Sequence, residues 1–512
     1  MNEKKPVNKI DKFWGVTQSG SSFKIEIFAG IATFLAMAYI LTVNPNQVLW
    51  TGVTDPRWAS IFIATALGAI TGTLLMAFLA KMPFAQASGM GLNATVGGIF
   101  GGGLSLFGVY AYTYGFEFTF GNAMMLVLIS GLIFLFLSIV PIAKDKESGK
   151  WISLREKIFD GMPKAVRTAI PVGIGLFIAF IGMQNAGIIT DNQFVLVQFV
   201  DFTQWGTEGN TAAAATVCIF GLILIAVLSQ FKVKGAVIIG ILAATVLAIP
   251  LGVADASILT GSTPGISWKF WESFKNFFSF DPAAGGVFFA AFTEGTAFPA
   301  GSFLTCVMIV ITLSMIDMFD TMGTVVGCAA NAGLIDEDGK PLNYNKVMYA
   351  DSIATCTGAL YGTSTVTTFV ESGAGVAVGG KTGMTAFVTA VLFLLAIFLL
   401  PVFAFIPSAA AASALIWVGV LMLKSVKDID LTSPTHAVPA FLTIIMMPLC
   451  YSITDGIGIG VISYVILAIF SYFINLIKYW CKKAEKPTWE ISVVALVVTA
   501  LFLVYFLVPT VL

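Results

Sequence analysis

Residues 84–98 read Phe84-Ala-Gln-Ala-Ser-Gly-Met-Gly-Leu-Asn93-Ala-Thr-Val-Gly-Gly98, and residues 362–380 read Gly362-Thr-Ser-Thr-Val-Thr-Thr-Phe-Val-Glu371-Ser-Gly-Ala-Gly-Val-Ala-Val-Gly-Gly380. Both open on small or polar residues, reach one amide or carboxylate (Asn93, Glu371) and then turn rich in glycine. Glycine weakens a helix, and the run Thr363-Ser-Thr-Val-Thr-Thr368 favours extended backbone. Both stretches lie in a chain apolar enough to live in a bilayer, where non-helical backbone survives only if it is buried in protein or lines a cavity. The expectation is two short strands at the midplane, each running into a half-helix whose N-terminus points at a ligand. Taken singly, either stretch could equally be a glycine-rich helix-packing interface. Their matching places in the two halves of the chain favour a binding site.

The bilayer follows from composition. Of 512 residues, 57% are hydrophobic and 11% charged, against about 45–50% and about 25% in soluble domains. At roughly 20 residues per span, the apolar share furnishes about fourteen spans. The net charge of −1 offers no footprint for nucleic acid. Cys218, Cys306, Cys328, Cys356, Cys450 and Cys481 form no CxxC pair and read as small core residues. The sole histidine, His436, excludes a multi-histidine metal or haem centre. A soluble enzyme, a nucleic-acid-binding domain and a disordered chain are thereby ruled out. No cleavable leader is expected, because the charged first 24 residues run straight into a long apolar stretch.

Charge-free stretches at 59–80, 118–143, 209–231, 235–254, 295–316, 382–423, 437–454 and 456–477 mark spans, with 382–423 read as two, broken at Pro401 and Pro407. Stretches near 25–44, 84–102, 165–186, 346–362 and 364–380 complete fourteen; whether 491–512 crosses stays open. Lys and Arg in short loops set orientation. Lys4, Lys5, Lys9, Lys12 and Lys24 place the N-terminus in the cytoplasm. The basic loop 143–167, including Lys146 and Lys150, follows on the same side, as do Lys232 with Lys234, Lys424 with Lys427, and Lys478 with Lys482 and Lys483.

The chain then divides into a cytoplasmic segment 1–24, a first repeat 25–255, an external loop 256–293, a second repeat 294–477, and a basic loop with an extra hydrophobic segment 478–512. Trp268 and Trp271 give the external loop an interfacial helix or belt. An odd number of spans per half inverts the second half relative to the first. The expected fold class is an all-α polytopic membrane protein of fourteen transmembrane segments, a 7+7 inverted repeat with two short intramembrane strands in spans three and ten.

The span that opens the second half continues into Ser314-Met-Ile-Asp317-Met-Phe-Asp320-Thr-Met-Gly-Thr324. Positions 314, 317 and 320 share one helical face. Carboxylates inside a span are costly unless they meet water or partners, and mark substrate, ion or proton sites by default. With Glu371 they make three carboxylates expected on one cavity. Asp317 is the candidate for substrate or proton; Asp320 could equally be a structural partner or half-helix cap. Ser314 could bond back to its own helix. Glu26 reads as an interfacial or packing carboxylate and His436 as a satisfied surface residue. Asp336-Glu-Asp-Gly-Lys340 lacks the ligand spacing of a calcium loop and reads as solvated.

These residues carry a resemblance. Ser88-Gly-Met-Gly-Leu-Asn-Ala94, Asp317-Met-Phe-Asp-Thr-Met-Gly-Thr324, Ala332-Gly-Leu-Ile-Asp-Glu-Asp-Gly339, Gly362-Thr-Ser-Thr-Val-Thr-Thr368, Val370-Glu-Ser372, Gly379-Gly-Lys-Thr-Gly-Met-Thr385 and Met446-Met-Pro-Leu-Cys-Tyr-Ser-Ile453 resemble the AzgA-like purine nucleobase permeases. That group lies within the nucleobase-ascorbate or nucleobase-cation symporter superfamily, and the resemblance runs from Ile25 to Ile477. It implies a core domain and a gate domain, the gate from spans five to seven and twelve to fourteen. It implies substrate binding by residues matching Asn93, Asp317 and Glu371, with Ser314, Asp320 and Thr365 as supporting or proton-coupling groups. Relatives often carry Pro at Ser88, an aromatic at Thr95 and a double Ala at Gly373-Ala374.

The expected function is therefore secondary active import of a purine nucleobase (hypoxanthine, guanine or adenine) across the cell membrane by proton symport. No cofactor or nucleic-acid partner is expected; a lipid bilayer is, and a homodimer is a possible assembly. The nearest alternative is a carrier of uracil, xanthine or another small planar solute in the same fold. An intramembrane aspartyl hydrolase fits less well, because Asp317 and Asp320 share one helix. A channel would show no saturable accumulation against a gradient.

Overall fold

The computed structural model describes residues 9–49, 52–100, 117–144, 151–192, 195–207, 209–233, 235–255, 258, 268–281, 284–335, 341–481, 488–489 and 491–507. Lys4, Lys5, Lys146, Lys150, Lys234, Lys482, Lys483, the loop 336–340, most of the stretch 256–267 and the ends of the 84–102 and 491–512 stretches lie outside the described residues.

In chain order the principal helices of the first half are α1 (Phe23–Met37), α2 (Ile40–Val48), α3 (Trp58–Leu75), α4 (Met90–Ile99), α5 (Phe120–Ile139), α6 (Lys164–Asn185), α7 (Ala212–Gln230) and α8 (Ala236–Ala248). Then follow α9 (Phe270–Phe277), α10 (Phe303–Ala332), α11 (Tyr344–Tyr361), α12 (Ser372–Val378), α13 (Gly383–Ala396), α14 (Ser408–Met422), α15 (Pro434–Leu449), α16 (Ile453–Trp480) and α17 (Val493–Leu507). Local chemistry sets several starts. The hydroxyls of Ser22, Thr382 and Ser452 cap α1, α13 and α16 by accepting from the amides of Ile25, Met384 and Asp455.

Among the described residues nine runs are long and apolar enough to cross a bilayer, which makes this a multi-pass membrane protein: Phe23–Val48, Trp58–Ala80, Phe120–Ile139, Lys164–Asn185, Ala212–Gln230, Phe303–Met322, Gly383–Ala404, Ser408–Asp428 and Asp455–Trp480. The other expected segments take different forms. Ala236–Ala248 and Pro434–Leu449 are apolar but short. α11 is a full helix of 18 residues that carries Lys346 and Asp351. The segments at 84–102 and 364–380 are each a strand followed by a short helix.

The 382–423 stretch forms two spans, Gly383–Ala404 and Ser408–Asp428; a 3-10 turn at Ile397–Leu399 interrupts it just before Pro401, which sits in the first turn of a short helix, Leu400–Ala404, where its missing N–H is no loss, and the chain breaks again at Phe405–Pro407. α10 runs unbroken through Asp320, which therefore caps no end of its own helix. Two hairpins, Pro141–Lys144 with Trp151–Ser153 and Ile189–Asn192 with Leu196–Phe199, add to the expected elements, the second of them largely exposed.

By internal contacts the chain forms two compact units, Met1–Phe136 with Ile181–Trp417, and Leu137–Phe180 with Val418–Leu512. The first unit contains β1 (Gln86–Ser88) and β2 (Val366–Thr368), paired antiparallel with Gln86 opposite Thr368 and Ser88 opposite Val366. All six residues are buried. The ladder extends through Gly89 N–H to Thr365 O at 2.9 Å and Phe369 N–H to Ala85 O at 3.0 Å. α3 and α11 approach the pair closely through glycine; a Cβ on Gly358 would stand 2.7 Å from Val366 Cγ2. In the second unit α15 and α16 pack together, with Ala169, Val172, Ile429 and Ala440 in one apolar cluster and Val465, Ile491 and Ala495 in another.

Gly362 turns the chain from α11 into the β2 segment. It ends the helix at φ 89°, its N–H reaching Gly358 O and Ala359 O, the left-handed terminus glycine favours. A Cβ there would meet Val287 O at 2.5 Å. Gly362→Ala is therefore expected to cost at least about 1–2 kcal/mol from the backbone alone, with the clash added. The check is the melting temperature and monodispersity of detergent-purified protein; a wild-type profile would contradict the turn's role.

Candidate binding site

Each half contributes one broken segment, and the strand pair joins them. β1 leads through Gly89 into α4, whose first turn ends at Asn93; β2 leads through Phe369 and Val370 to Glu371, which stands at the N-cap of α12. Asn93 is wholly buried, its Oδ1 accepting a short bond from the Ser364 hydroxyl while its Nδ2 has no hydrogen-bond partner among the described residues. Glu371 Oε1 accepts from the Tyr39 hydroxyl at 2.5 Å; its Oε2 has no partner among the described residues. Tyr39 lies at the junction of α1 and α2, and its hydroxyl is also 3.4 Å from Met90 Sδ at the start of α4. A Cβ built on Gly373, two residues after Glu371, would meet nothing within 4 Å.

α10 supplies the other carboxylates. Asp317 is wholly buried and its Oδ2 accepts from Thr355 Oγ1 at 3.0 Å, a hydroxyl that also lies 3.2 Å from Val366 O of β2. Asp320 Oδ2 accepts from Thr367 Oγ1 at 3.4 Å. Ser314 does not bond to its own helix: its hydroxyl donates to Ser130 Oγ at 3.1 Å, tying α10 to α5. Thr365 is buried with an unpartnered hydroxyl among the described residues. Asn93, Glu371 and Thr365 thus leave a donor, an acceptor and a hydroxyl unspent, and unspent buried polar groups call for a ligand or water.

The positions flagged as departures have plain roles. Ser88 Oγ lies 2.6 Å from Thr363 Oγ1, which accepts from Asn44 Nδ2 at 2.8 Å, and Thr95 bonds back to Gly91 O at 3.0 Å. Glu26 is a packing carboxylate, accepting from Thr385 Oγ1 at 2.6 Å and Lys381 N at 3.1 Å. His436 is a surface residue paired with Asp430 at 3.1 Å. The Thr432 hydroxyl and then His436 hold Asp430 down at about 2, so it is a carboxylate at every physiological pH.

Three residues escaped sequence reasoning. Tyr39 gave no signal, since an aromatic in an apolar run is commonplace. Gln86 and Asp351 did: both are polar groups inside expected spans. Asp351 Oδ1 accepts from Gln86 Nε2 and Thr321 Oγ1, each at 2.8 Å, and lies 3.5 Å from Thr368 Oγ1. One buried carboxylate thereby draws β1, β2, α10 and α11 together.

Buried polar groups on two broken segments from opposite halves, together with the family and relatives that match the chain, make it a membrane transporter and not an enzyme. The profile of the Permease family (Xan_ur_permease) matches residues 24–459, and the chain belongs to that family. The adenine permease AdeP of Escherichia coli (strain K12) is 34% identical over 462 residues, covering 90% of each chain. The guanine/hypoxanthine permease PbuG of Bacillus subtilis (strain 168) is 36% identical over 463 residues, 88% of this chain and 92% of its own. The resemblance to AzgA-like permeases stands on these relatives. In fold, the chain is similar to the transmembrane domain of the cyanobacterium bicarbonate transporter BicA, at TM-score 0.56 and 14% identity over 86% of this chain and 97% of that one.

Proposed function

We propose that the protein imports purine nucleobases (hypoxanthine, guanine or adenine) across the cell membrane. One observation carries the reading: Glu371 Oε2 and Asn93 Nδ2 are a buried acceptor and a buried donor without partners among the described residues, on the two segments joined by the strand pair. A purine edge alternates N–H donors with ring-nitrogen and carbonyl acceptors, and a carboxylate and an amide together satisfy that alternation. Glu371 and Asp317 would accept from ring or exocyclic N–H groups, Asn93 would donate and accept, and Ser314, Asp320 and Thr365 would support them. That AdeP is an adenine permease and PbuG a guanine/hypoxanthine permease favours the purine class.

In this reading the chain forms fourteen spans as a 7+7 inverted repeat with its N-terminus in the cytoplasm, and a homodimer is a compatible assembly. A core would move against a gate to expose the site to each side in turn. The coupled ion is a proton, carried by one of Asp317, Asp320 and Glu371. In cells lacking their own purine permeases, labelled hypoxanthine should accumulate in sodium-free buffer, and a protonophore should collapse that accumulation. Accumulation that requires sodium and ignores the protonophore would overturn proton coupling. Excess adenine and guanine should compete more than tenfold better than uracil, a margin of about 1.4 kcal/mol; the reverse order would overturn the purine assignment.

A further inference from the structure

The second unit holds a cavity of about 330 Å³ that has no part in the proposed transport site. One wall is a face of α16: Tyr464, Ala468, Ser471, Tyr472 and Asn475 line it at spacings of four, three, one and three, which is a single helical stripe. Thr435 and His436 line it from the first turn of α15, and Thr488 and Trp489 from the segment before α17. Rings dominate: Tyr472 and Trp489 meet edge to face at 5.1 Å, and His436 lies parallel to Tyr464 at 6.3 Å. Trp489 is fixed by its Nε1–H bond to Ile491 O at 2.9 Å.

Among the described residues the lining contains no Lys, Arg, Asp or Glu. An anionic lipid would call for basic residues, and none of the described residues that line this cavity is basic. Hydroxyls and an amide stand ready to donate: Thr435, Ser471, Thr488 and Asn475, with the positive end of the α15 dipole beside Thr435. Electron-rich rings suit an ammonium group, and the Asp430 carboxylate stands 3.1 Å from the His436 ring nitrogen. Immediately beside the lining stripe, α16 exposes Phe470, Phe473, Ile474 and Ile477. In a span of this hydropathy those side chains meet acyl chains, and Trp489, which follows the span in sequence, packs on Tyr472 within it.

We infer that this cavity binds the headgroup of a zwitterionic phospholipid, with the phosphate toward the hydroxyls and the ammonium toward the Tyr472 and Trp489 rings. The acyl chains then lie along the exposed apolar face of α16. The full chain, purified in detergent, is tested by native mass spectrometry and thermal shift with dioleoyl phosphatidylethanolamine and dioleoyl phosphatidylglycerol. Phosphatidylethanolamine should be retained about tenfold better than phosphatidylglycerol and should raise the melting temperature more. Ala468→Phe, which fills the cavity, should abolish that preference, and Trp489→Ala should weaken retention about tenfold, the worth of a desolvated cation–ring contact. Asn475→Leu removes a polar contact from the helix surface, so it tests the site even where the larger substitution disturbs folding. Equal retention of phosphatidylglycerol, or unchanged retention in Asn475→Leu, overturns the inference. Equal protection by soluble glycerophosphoethanolamine reassigns the cavity to a soluble ligand and overturns the lipid assignment.

Discussion

Glu371→Gln is expected to lower hypoxanthine and adenine uptake by about 10²-fold or more at unchanged membrane abundance. The size follows from the hydrogen bonds. Tyr39 already donates to Oε1 at 2.5 Å, so in the variant the amide carbonyl is held by that tyrosine. The amide nitrogen must then take the place of Oε2, which in the wild type has no partner among the described residues. There it would present N–H to a substrate N–H, donor against donor. A charge-assisted bond is lost and two buried donors are left unpaired, together about 3–4 kcal/mol. Tyr39→Phe removes only the bond that orients the carboxylate and should cost about tenfold, as should Asn93→Ala. Asp317→Asn should be comparably severe to Glu371→Gln if Asp317 also accepts from the base. Initial rates of labelled uptake in a permease-deficient strain, scaled to membrane abundance by immunoblot, decide the matter. Wild-type rates in Glu371→Gln would remove that residue from the substrate site.

The legible part of the fold was the part where chemistry contradicts its surroundings. Thr363–Thr368 is β-branched and polar inside an apolar chain, and its strand, like the partner around Gln86, follows from that conflict. The glycine flanks announced short helices after each strand, and α4 and α12 are ten and seven residues long. What could not be read was which partner each polar group finds. The spacing of Ser314, Asp317 and Asp320 put them on one face, but they separate onto three elements: Ser314 meets α5, Asp317 meets α11, and Asp320 meets β2. Helical periodicity fixes a face and says nothing of the neighbour across it. Asp351 was overlooked for the opposite reason: it stood alone in α11, without a motif, although the cost of a carboxylate in a span applies to it as fully as to Asp317.

Asp351→Ala is expected to cost about 2–4 kcal/mol and to lower the yield of folded protein, because it removes the acceptor of two buried donors, Thr321 Oγ1 and Gln86 Nε2, the latter keeping only a 3.3 Å bond to Thr368 Oγ1, at about 1–3 kcal/mol each. Both donors lie within 2.8 Å of one carboxylate oxygen, so their losses are coupled and not additive. Gln86 is further fixed by its backbone, whose N–H and C=O exchange bonds with Thr73 Oγ1 at 3.0 and 3.1 Å. β1 is therefore held in register from both sides, by α3 through Thr73 and by α11 through Asp351. Three-residue strands are too short to hold each other alone, and a loosened register would displace Asn93 and Glu371 together. Asp351→Asn keeps an acceptor oxygen of the same shape and should fall between wild type and Ala in melting temperature. In a double-mutant cycle, Gln86→Ala should add little once Asp351→Ala is present, a coupling of about 1–2 kcal/mol. A melting temperature for Asp351→Ala equal to wild type, or strict additivity with Gln86→Ala, would mean that the strands are held by packing of Gly72 and Gly358 against Gln86 and Val366 and not by the buried carboxylate.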